Sequence, residues 1–292
     1  MSKSLAARSV MLLLAVSASA AVCGCFPELK AKARRPVVRL CVLPRYSPRS
    51  MSQRYAPLAE YLSEATGYDV RYVASLNYET YPKTVEWSGV DIGFHNPLVQ
   101  VALAKSRGAR PLLMATEPTG EAWYRGVIIA RMAAGIRTLG DLRGKRIATA
   151  SRLALAGYVA QQALCQDAGV DLDRECAVVL VRGQEQAVAH VAEGRADAAF
   201  VAESIWLAAQ DTAAAAKLDI IAYTEYLPGW CVAVFPDANA PAAEAIKQAL
   251  LALKPPHGRV LLGPMDTSGF VETTEADYEP ARRLAAKLDI PL

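Results

Sequence analysis

Histidine is scarce in this chain: His95, His190 and His257 are the only three in 292 residues, and none is spaced with cysteine as a metal-ligand set. No nucleophile–base pair stands at readable spacing either, so the usual signatures of hydrolytic and metal chemistry are missing. Charge of one sign is also lacking. The net charge is +3, and it falls to +1 when Lys3 and Arg8 are set aside with the N-terminal leader, which argues against a nucleic-acid partner. Beyond residue 25 no apolar run is long and continuous enough to cross a bilayer. There is no internal repeat, and the one biased stretch, "DTAAAAKLD" at 211–219, reads as an exposed helix end.

What is present begins with that leader. Lys3 and Arg8 precede an apolar run from Val10 to Val22, which is short for a membrane span and suits a signal-peptide core. It ends in "VCGC", small residues before a cysteine, and resembles the bacterial lipobox. The resemblance implies cleavage before Cys25, acylation of Cys25, and a periplasmic protein held to a membrane by its lipid. Ordinary secretion, with Cys23 and Cys25 incidental, is the alternative. Cys41 and Cys231 lie in apolar strand-like runs, "VVRLCVL" and "WCVAVF", and read as buried thiols. Cys165 and Cys176 flank a short helix-to-strand link where an exported protein can carry a disulfide, so bridged and free states are both open.

The mature sequence alternates apolar runs with helical patterns, the rhythm of α/β units around mostly parallel sheets. "VVRLCVL" reads as a first strand, "QRYAPLAEYLSEAT" as a helix closed by Gly67, and "GVDIGF" as a buried strand running into a helix capped by Asn96 with Pro97 at its first position. "PTGEAW" interrupts this series, and a second series starts at "YRGVIIAR". Two strands around "TEYLPG" then return the chain to the first set, and helices from Pro241 and Pro280 complete it. The expected division is a leader at 1–24, a linker at 25–36, a first lobe from 37–120 and 225–292, and a second lobe at 121–224. A cleft between two such lobes is a favoured ligand site.

Four stretches in order, "RYAPLAEYLSEATG" with "GVDIGFHNPLVQVALA", "YRGVIIARMAAGIRTLGDLRGKRIA", "EGRADAAFVAES" and "SGFVETTEADYEPARRL", carry a resemblance to the type II periplasmic substrate-binding proteins of phosphate, phosphite and phosphonate ABC importers. The resemblance spans about Val37 to Ile290. It implies a two-lobed α/β fold that captures a small molecule in the cleft and delivers it to an ABC permease, with no catalysis and no cofactor, as a monomer. A ligand-sensing subunit for a membrane sensor kinase is an alternative with the same fold, and an enzyme on this fold is a third.

The family's aromatic after the first strand corresponds to Tyr46, and the contact after "VDIGF" to His95 and Asn96. The helix start that in the family reads Ser-Thr-Ser-Gly-Tyr is here Ala154, Leu155, Ala156, Gly157 and Tyr158, preceded by Ser151 and Arg152. Gln184, Glu185 and Gln186 replace a Ser-His-Asp, and Glu203 with Ser204 opens a further helix. The expected ligand contacts are Tyr46, His95, Asn96, Ser151, Arg152, Leu155, Ala156, Gly157, Tyr158, Glu185, Glu203 and Ser204. For His95 a local hydrogen bond is the competing role, for Tyr158 and Trp230 a place in the core, and for Glu185 and Glu203 a role as solvated partners of a helix dipole. Each hydrogen bond to a charged group contributes about 1.5–3 kcal/mol, so the lost hydroxyls should weaken binding of a tetrahedral dianion by orders of magnitude. Leu155 would favour a ligand with an apolar or uncharged part.

Overall fold

The computed structural model describes residues 35–213, 215–254, 256 and 258–290. The leader, Cys23, Cys25, most of the linker and His257 lie outside them. From β1 (Val37–Val42) the chain runs through α1 (Pro48–Thr66), β2 (Asp69–Val73), α2 (Tyr81–Trp87), β3 (Ile92–His95), α3 (Pro97–Arg107) and β4 (Arg110–Thr116). It crosses as β5 (Trp123–Tyr124) into β6 (Gly126–Arg131), β7 (Arg146–Thr149), α4 (Ala160–Asp167), α5 (Leu172–Glu175), β8 (Ala177–Leu180), α6 (Gln184–Ala192), β9 (Ala198–Ala202), α7 (Glu203–Ala209) and β10 (Leu218–Tyr223). It returns as β11 (Leu227–Pro228) to β12 (Cys231–Val234), α8 (Ala240–Leu251), α9 (Arg259–Leu262), β13 (Gly269–Glu272) and α10 (Glu279–Lys287).

Local chemistry sets several boundaries. Asn96 caps α3 by accepting from the Val99 N–H at 2.9 Å, and Asn239 caps α8 in the same way through Ala242 at 3.0 Å. Gly67 ends α1 in the left-handed region, φ 77°. That helix begins five residues earlier than its hydrophobic pattern indicates, because Ser47 caps it and Pro48 sits in its first turn.

One sheet has the order β13-β4-β12-β3-β1-β2 and the other β10-β6-β9-β7-β8. Both are mixed, which corrects the expectation of mostly parallel sheets: β1 pairs in parallel with β2 and β3, whereas β12 and β13 run antiparallel to their neighbours. In the second sheet β7 is parallel to β8 and β9, and β6 is antiparallel to β9 and β10. These directions bring the carboxyl ends of β1 to β4 and the amino ends of β12 and β13 to one edge of the first sheet. The second sheet gathers there the amino end of β6 and the carboxyl ends of β7 to β10. Both crossings join these two edges, so the edges face each other, the position where open α/β sheets bind ligands.

The crossings pair as an antiparallel ribbon, Leu227 opposite Tyr124 and Pro228 opposite Trp123. Gly229 packs so tightly against it that an added Cβ would lie 2.2 Å from the Ala115 carbonyl oxygen. The second sheet is covered by a separate apolar cluster on each face. One cluster of the first sheet continues into the second lobe, taking in Leu155, Ala156 and Val159 together with Tyr278, Ala281 and Leu284. Helix α10 packs against α3, α4 and β11, and its Lys287 pairs with Asp167 of α4, so the C-terminal helix touches both lobes.

Of the two states open for Cys165 and Cys176, the structure has free thiols, and burial pushes the Cys165 thiol up to about 12. The alanine-rich stretch is exposed at Asp211, Thr212, Ala213, Ala216 and Lys217 as expected, but it is not the end of α7, which stops at Ala209, and Ala215 is buried in the second lobe's core.

Candidate functional site

On the first-lobe edge, the β1–α1 turn presents Arg45 and Tyr46. The Arg45 guanidinium lies 4.3 Å above the Trp230 ring, and its Nη2 donates to the Met265 carbonyl at 2.8 Å and lies 3.7 Å from Asp266. Tyr46, partly exposed, donates to Asp266 at 2.7 Å and carries the Arg54 guanidinium 4.1 Å over its ring. Glu117, immediately after β4, is half-buried; burial raises its carboxyl above the usual range, Arg45 opposes the rise and Asp266 adds to it. Tyr124 on the crossing is likewise pushed up by burial and by Glu117.

His95 belongs to a different environment. It is fully buried, with Nδ1 3.0 Å from the Tyr81 hydroxyl and Nε2 2.9 Å from Gln100 Oε1. Because the Gln100 amide nitrogen donates to the Ala109 carbonyl, its oxygen accepts from His95 Nε2–H, and Nδ1 accepts from Tyr81. Burial depresses the imidazole to about 4, against the Gln100 bond that favours the charged form. With both nitrogens engaged inside the core, the expected ligand contact at His95 is corrected to a structural one. Asn96 is also buried; besides capping α3 it donates to the Tyr78 hydroxyl at 3.4 Å.

On the second-lobe edge, residues 155–159 form a π turn leading into α4, and all five are buried. Leu155, 5% exposed, packs in the cluster that joins the lobes, so its apolar character is explained by packing and not by a ligand wall. Ala156 and Gly157 are equally enclosed, Gly157 accepting from Thr149 Oγ1 at 2.7 Å. Leu153 is the apolar side chain that this turn exposes, at 49%. Tyr158 is a core residue packed near Phe200; its hydroxyl, pushed up to about 12 by burial, accepts from Arg152 at 2.8 Å. Arg152 also pairs with Asp173, and Ser151 is half-buried, accepting from the Leu153 N–H at 3.1 Å. Glu185 is exposed, and Gln184, not Glu185, lies against the turn: its amide group comes within 3.2 Å of the point where a Gly157 Cβ would sit, and its oxygen accepts from the Ala202 N–H at 2.5 Å.

Glu203 makes a two-pronged pair with Arg125, at 2.8 and 2.6 Å, while Arg125 stacks 3.8 Å from the Tyr223 ring and 4.9 Å from the Tyr226 ring. Ser204 follows, half-buried, in the first turn of α7. The topology therefore gathers all the expected residues at two facing edges, but it encloses His95, Leu155, Ala156, Gly157 and Tyr158 and binds Arg152 and Glu203 to partners. Arg45, Glu117, Tyr124, Arg125, Gln184 and Trp230 join the site. The signals for the first two were their places beside Tyr46 and at the interruption after "RPLLMAT". Among the described residues no group of acidic, histidine and cysteine side chains fits a metal ion, and no helix is long and apolar enough to cross a membrane.

A family model described as the periplasmic substrate-binding protein of an ABC phosphonate transporter matches residues 40–278. The chain belongs to this family. PhnD1 from Prochlorococcus marinus, solved with methylphosphonate, is 15% identical with a TM-score of 0.69, the match covering 88% of this chain and 99% of that one. A binding component of an ABC phosphonate transporter from Pseudomonas aeruginosa is 16% identical, TM-score 0.66, with 87% of each chain covered. A Xanthomonas citri protein bound to chloride is 18% identical, TM-score 0.71, covering 87% of this chain and 97% of that one. At such identities the likeness is one of two-lobed α/β fold. The family and its phosphonate-binding neighbours are transport-binding proteins rather than enzymes, which supports a periplasmic small-molecule carrier working with a permease.

Proposed function

We propose that this protein is a lipid-anchored periplasmic receptor that captures a small ligand between the two sheet edges for an ABC permease, with a pocket altered so that simple phosphonates bind weakly. The observation that carries the altered pocket is the state of the second-lobe edge. Residues 154–156 hold no hydroxyl, and two of the nearby arginines are paired within the chain, Arg152 with Asp173 and Arg125 with Glu203, while Arg182 in the β8–α6 turn has no carboxylate partner among the described residues. A dianion brought to this edge meets few uncommitted donors; dislodging the half-buried Arg125–Glu203 pair to reach one is costly, whereas the exposed Arg152–Asp173 pair is the weaker barrier.

Small-angle scattering tests the capture itself. A compound found to raise the melting temperature should also reduce the radius of gyration as the lobes close; an unchanged profile at saturation would count against closure. For the anchor, Cys25→Ala should move the protein from the membrane fraction to the soluble one while Cys23→Ala leaves it there, and unaltered fractionation of the Cys25 variant would refute lipidation.

A further inference from the structure

We propose that the edge of the first lobe opposite the cleft faces the membrane and lies on anionic phospholipid headgroups, with the Trp87 ring seated among them. This goes beyond ligand capture and rests on the lipid-anchor reading above, which fixes where the bilayer is met. The residues before β1 are held at this edge: the Pro36 carbonyl accepts from the Asp69 N–H at 2.9 Å, and Arg35 donates to the Ser63 carbonyl at 3.1 Å. Arg35 follows Cys25 by ten residues, a stretch of chain that spans at most about 36 Å. An acyl group on Cys25 therefore keeps this edge within that distance of the bilayer.

The chemistry around Trp87 suits such a contact. Trp87 ends α2 with 78% of its surface exposed, while Tyr81 and Val85 bury the other face of that helix. One exposed apolar residue is ordinary by itself; here it is surrounded by cations. The Lys83 ammonium lies 6.0 Å from the centre of the indole, and Arg39 reaches the turn after α2, its Nη1 4.0 Å from the point where a Gly89 Cβ would sit. The Arg107–Glu86 pair, at 3.2 Å, joins the ends of α3 and α2 and so brings Lys105 and Arg110 to the same place. Arg39, Lys83, Lys105 and Arg110 are exposed and have no carboxylate partner among the described residues. Two acids oppose these four: Asp91, which accepts from the Arg39 N–H at 2.7 Å, and the exposed Asp237. The balance is positive, and an indole amid cationic side chains is the combination that settles at the headgroup level of an anionic bilayer.

Vesicle sedimentation tests the assignment. The processed chain, residues 25–292 with Cys25→Ala, keeps every described residue and bears no acyl group, so its binding reports on the surface alone. It should bind phosphatidylcholine vesicles containing about 30% phosphatidylglycerol at low ionic strength, leave them at about 0.5 M salt, and ignore pure phosphatidylcholine. Lys83→Gln and Arg39→Gln should each weaken binding about fivefold, and Trp87→Ala about tenfold. Val260→Ser, which alters a residue 81% exposed on α9, should change nothing. Absence of vesicle binding, equal binding to neutral vesicles, or binding that survives Trp87→Ala overturns the proposal. A Trp87→Ala defect on native membranes that is missing on lipid vesicles assigns the surface to a membrane protein and overturns it too. Because binding by this edge is reversed by salt, a salt wash still frees the Cys25 variant from cell membranes, and the anchor reading stands or falls on that fractionation alone.

Discussion

The two edges that face each other across the cleft handle charge in opposite ways. On the second lobe Arg125 and Glu203, and Arg152 and Asp173, neutralise one another at hydrogen-bond distance, and the turn at 154–159 is packed with apolar side chains. On the first lobe Arg45, Arg54, Asp266 and Glu117 share a looser cluster with aromatic rings, and the half-buried Glu117 carboxylate has no ion-pair partner among the described residues. The contrast teaches that the helix start which names the family is not where this chain keeps its unused polar capacity.

The crossings should be the least tolerant part of the molecule. Gly229→Ala places a Cβ 2.2 Å from Ala115 O and 3.0 Å from Ala122 O, both backbone atoms, and should cost about 3–4 kcal/mol or prevent folding, whereas Gly263→Ala, with nothing within 4 Å, should stay within about 0.5 kcal/mol. Denaturant melts of the two variants measure the difference, and a mild Gly229 variant would show that the ribbon yields.

The first lobe's interior should respond to acid. His95 titrates at about 4 in the fold against an ordinary 6.5, so its contribution is complete above pH 6.5 and lost as pH falls toward 4, where the unfolded chain takes up a proton that the fold refuses. The expected loss is about 3 kcal/mol. Urea melts at neutral and acid pH, with His95→Gln flattening the dependence, check it.

A smaller effect tests the neutralised edge. Arg125→Met and Glu203→Gln should each destabilise by about 1–3 kcal/mol, and the double variant by less than their sum. If Glu203→Gln instead alters methylphosphonate affinity with no loss of stability, the contrast between the edges fails.

Much of this architecture was legible in the sequence because it depends on local signals. The Asn96-Pro97 cap, the Gly67 terminator and the buried runs at Val37–Val42 and Ala198–Ala202 all form the elements their chemistry indicates. Strand direction was not legible: an apolar run such as "CVAV" is buried equally well in either direction, so the antiparallel placement of β12 emerges only from its pairing. The site was less readable for a related reason. Arg125 and Glu203 lie 78 residues apart, and Arg152 and Asp173 lie 21 apart, distances at which no periodicity links a cation to its carboxylate. Leu155 looked like a ligand wall because its position at a helix start was visible, while the packing that places it in one cluster with Tyr278, Ala281 and Leu284 was not.

The most direct measurement is calorimetry of the wild-type protein with methylphosphonate. A self-neutralised second-lobe edge predicts a dissociation constant weaker than about 1 μM or no detectable heat; binding tighter than about 1 μM would contradict it, because the site would then be reaching a dianion that its paired arginines and missing hydroxyls should not accommodate.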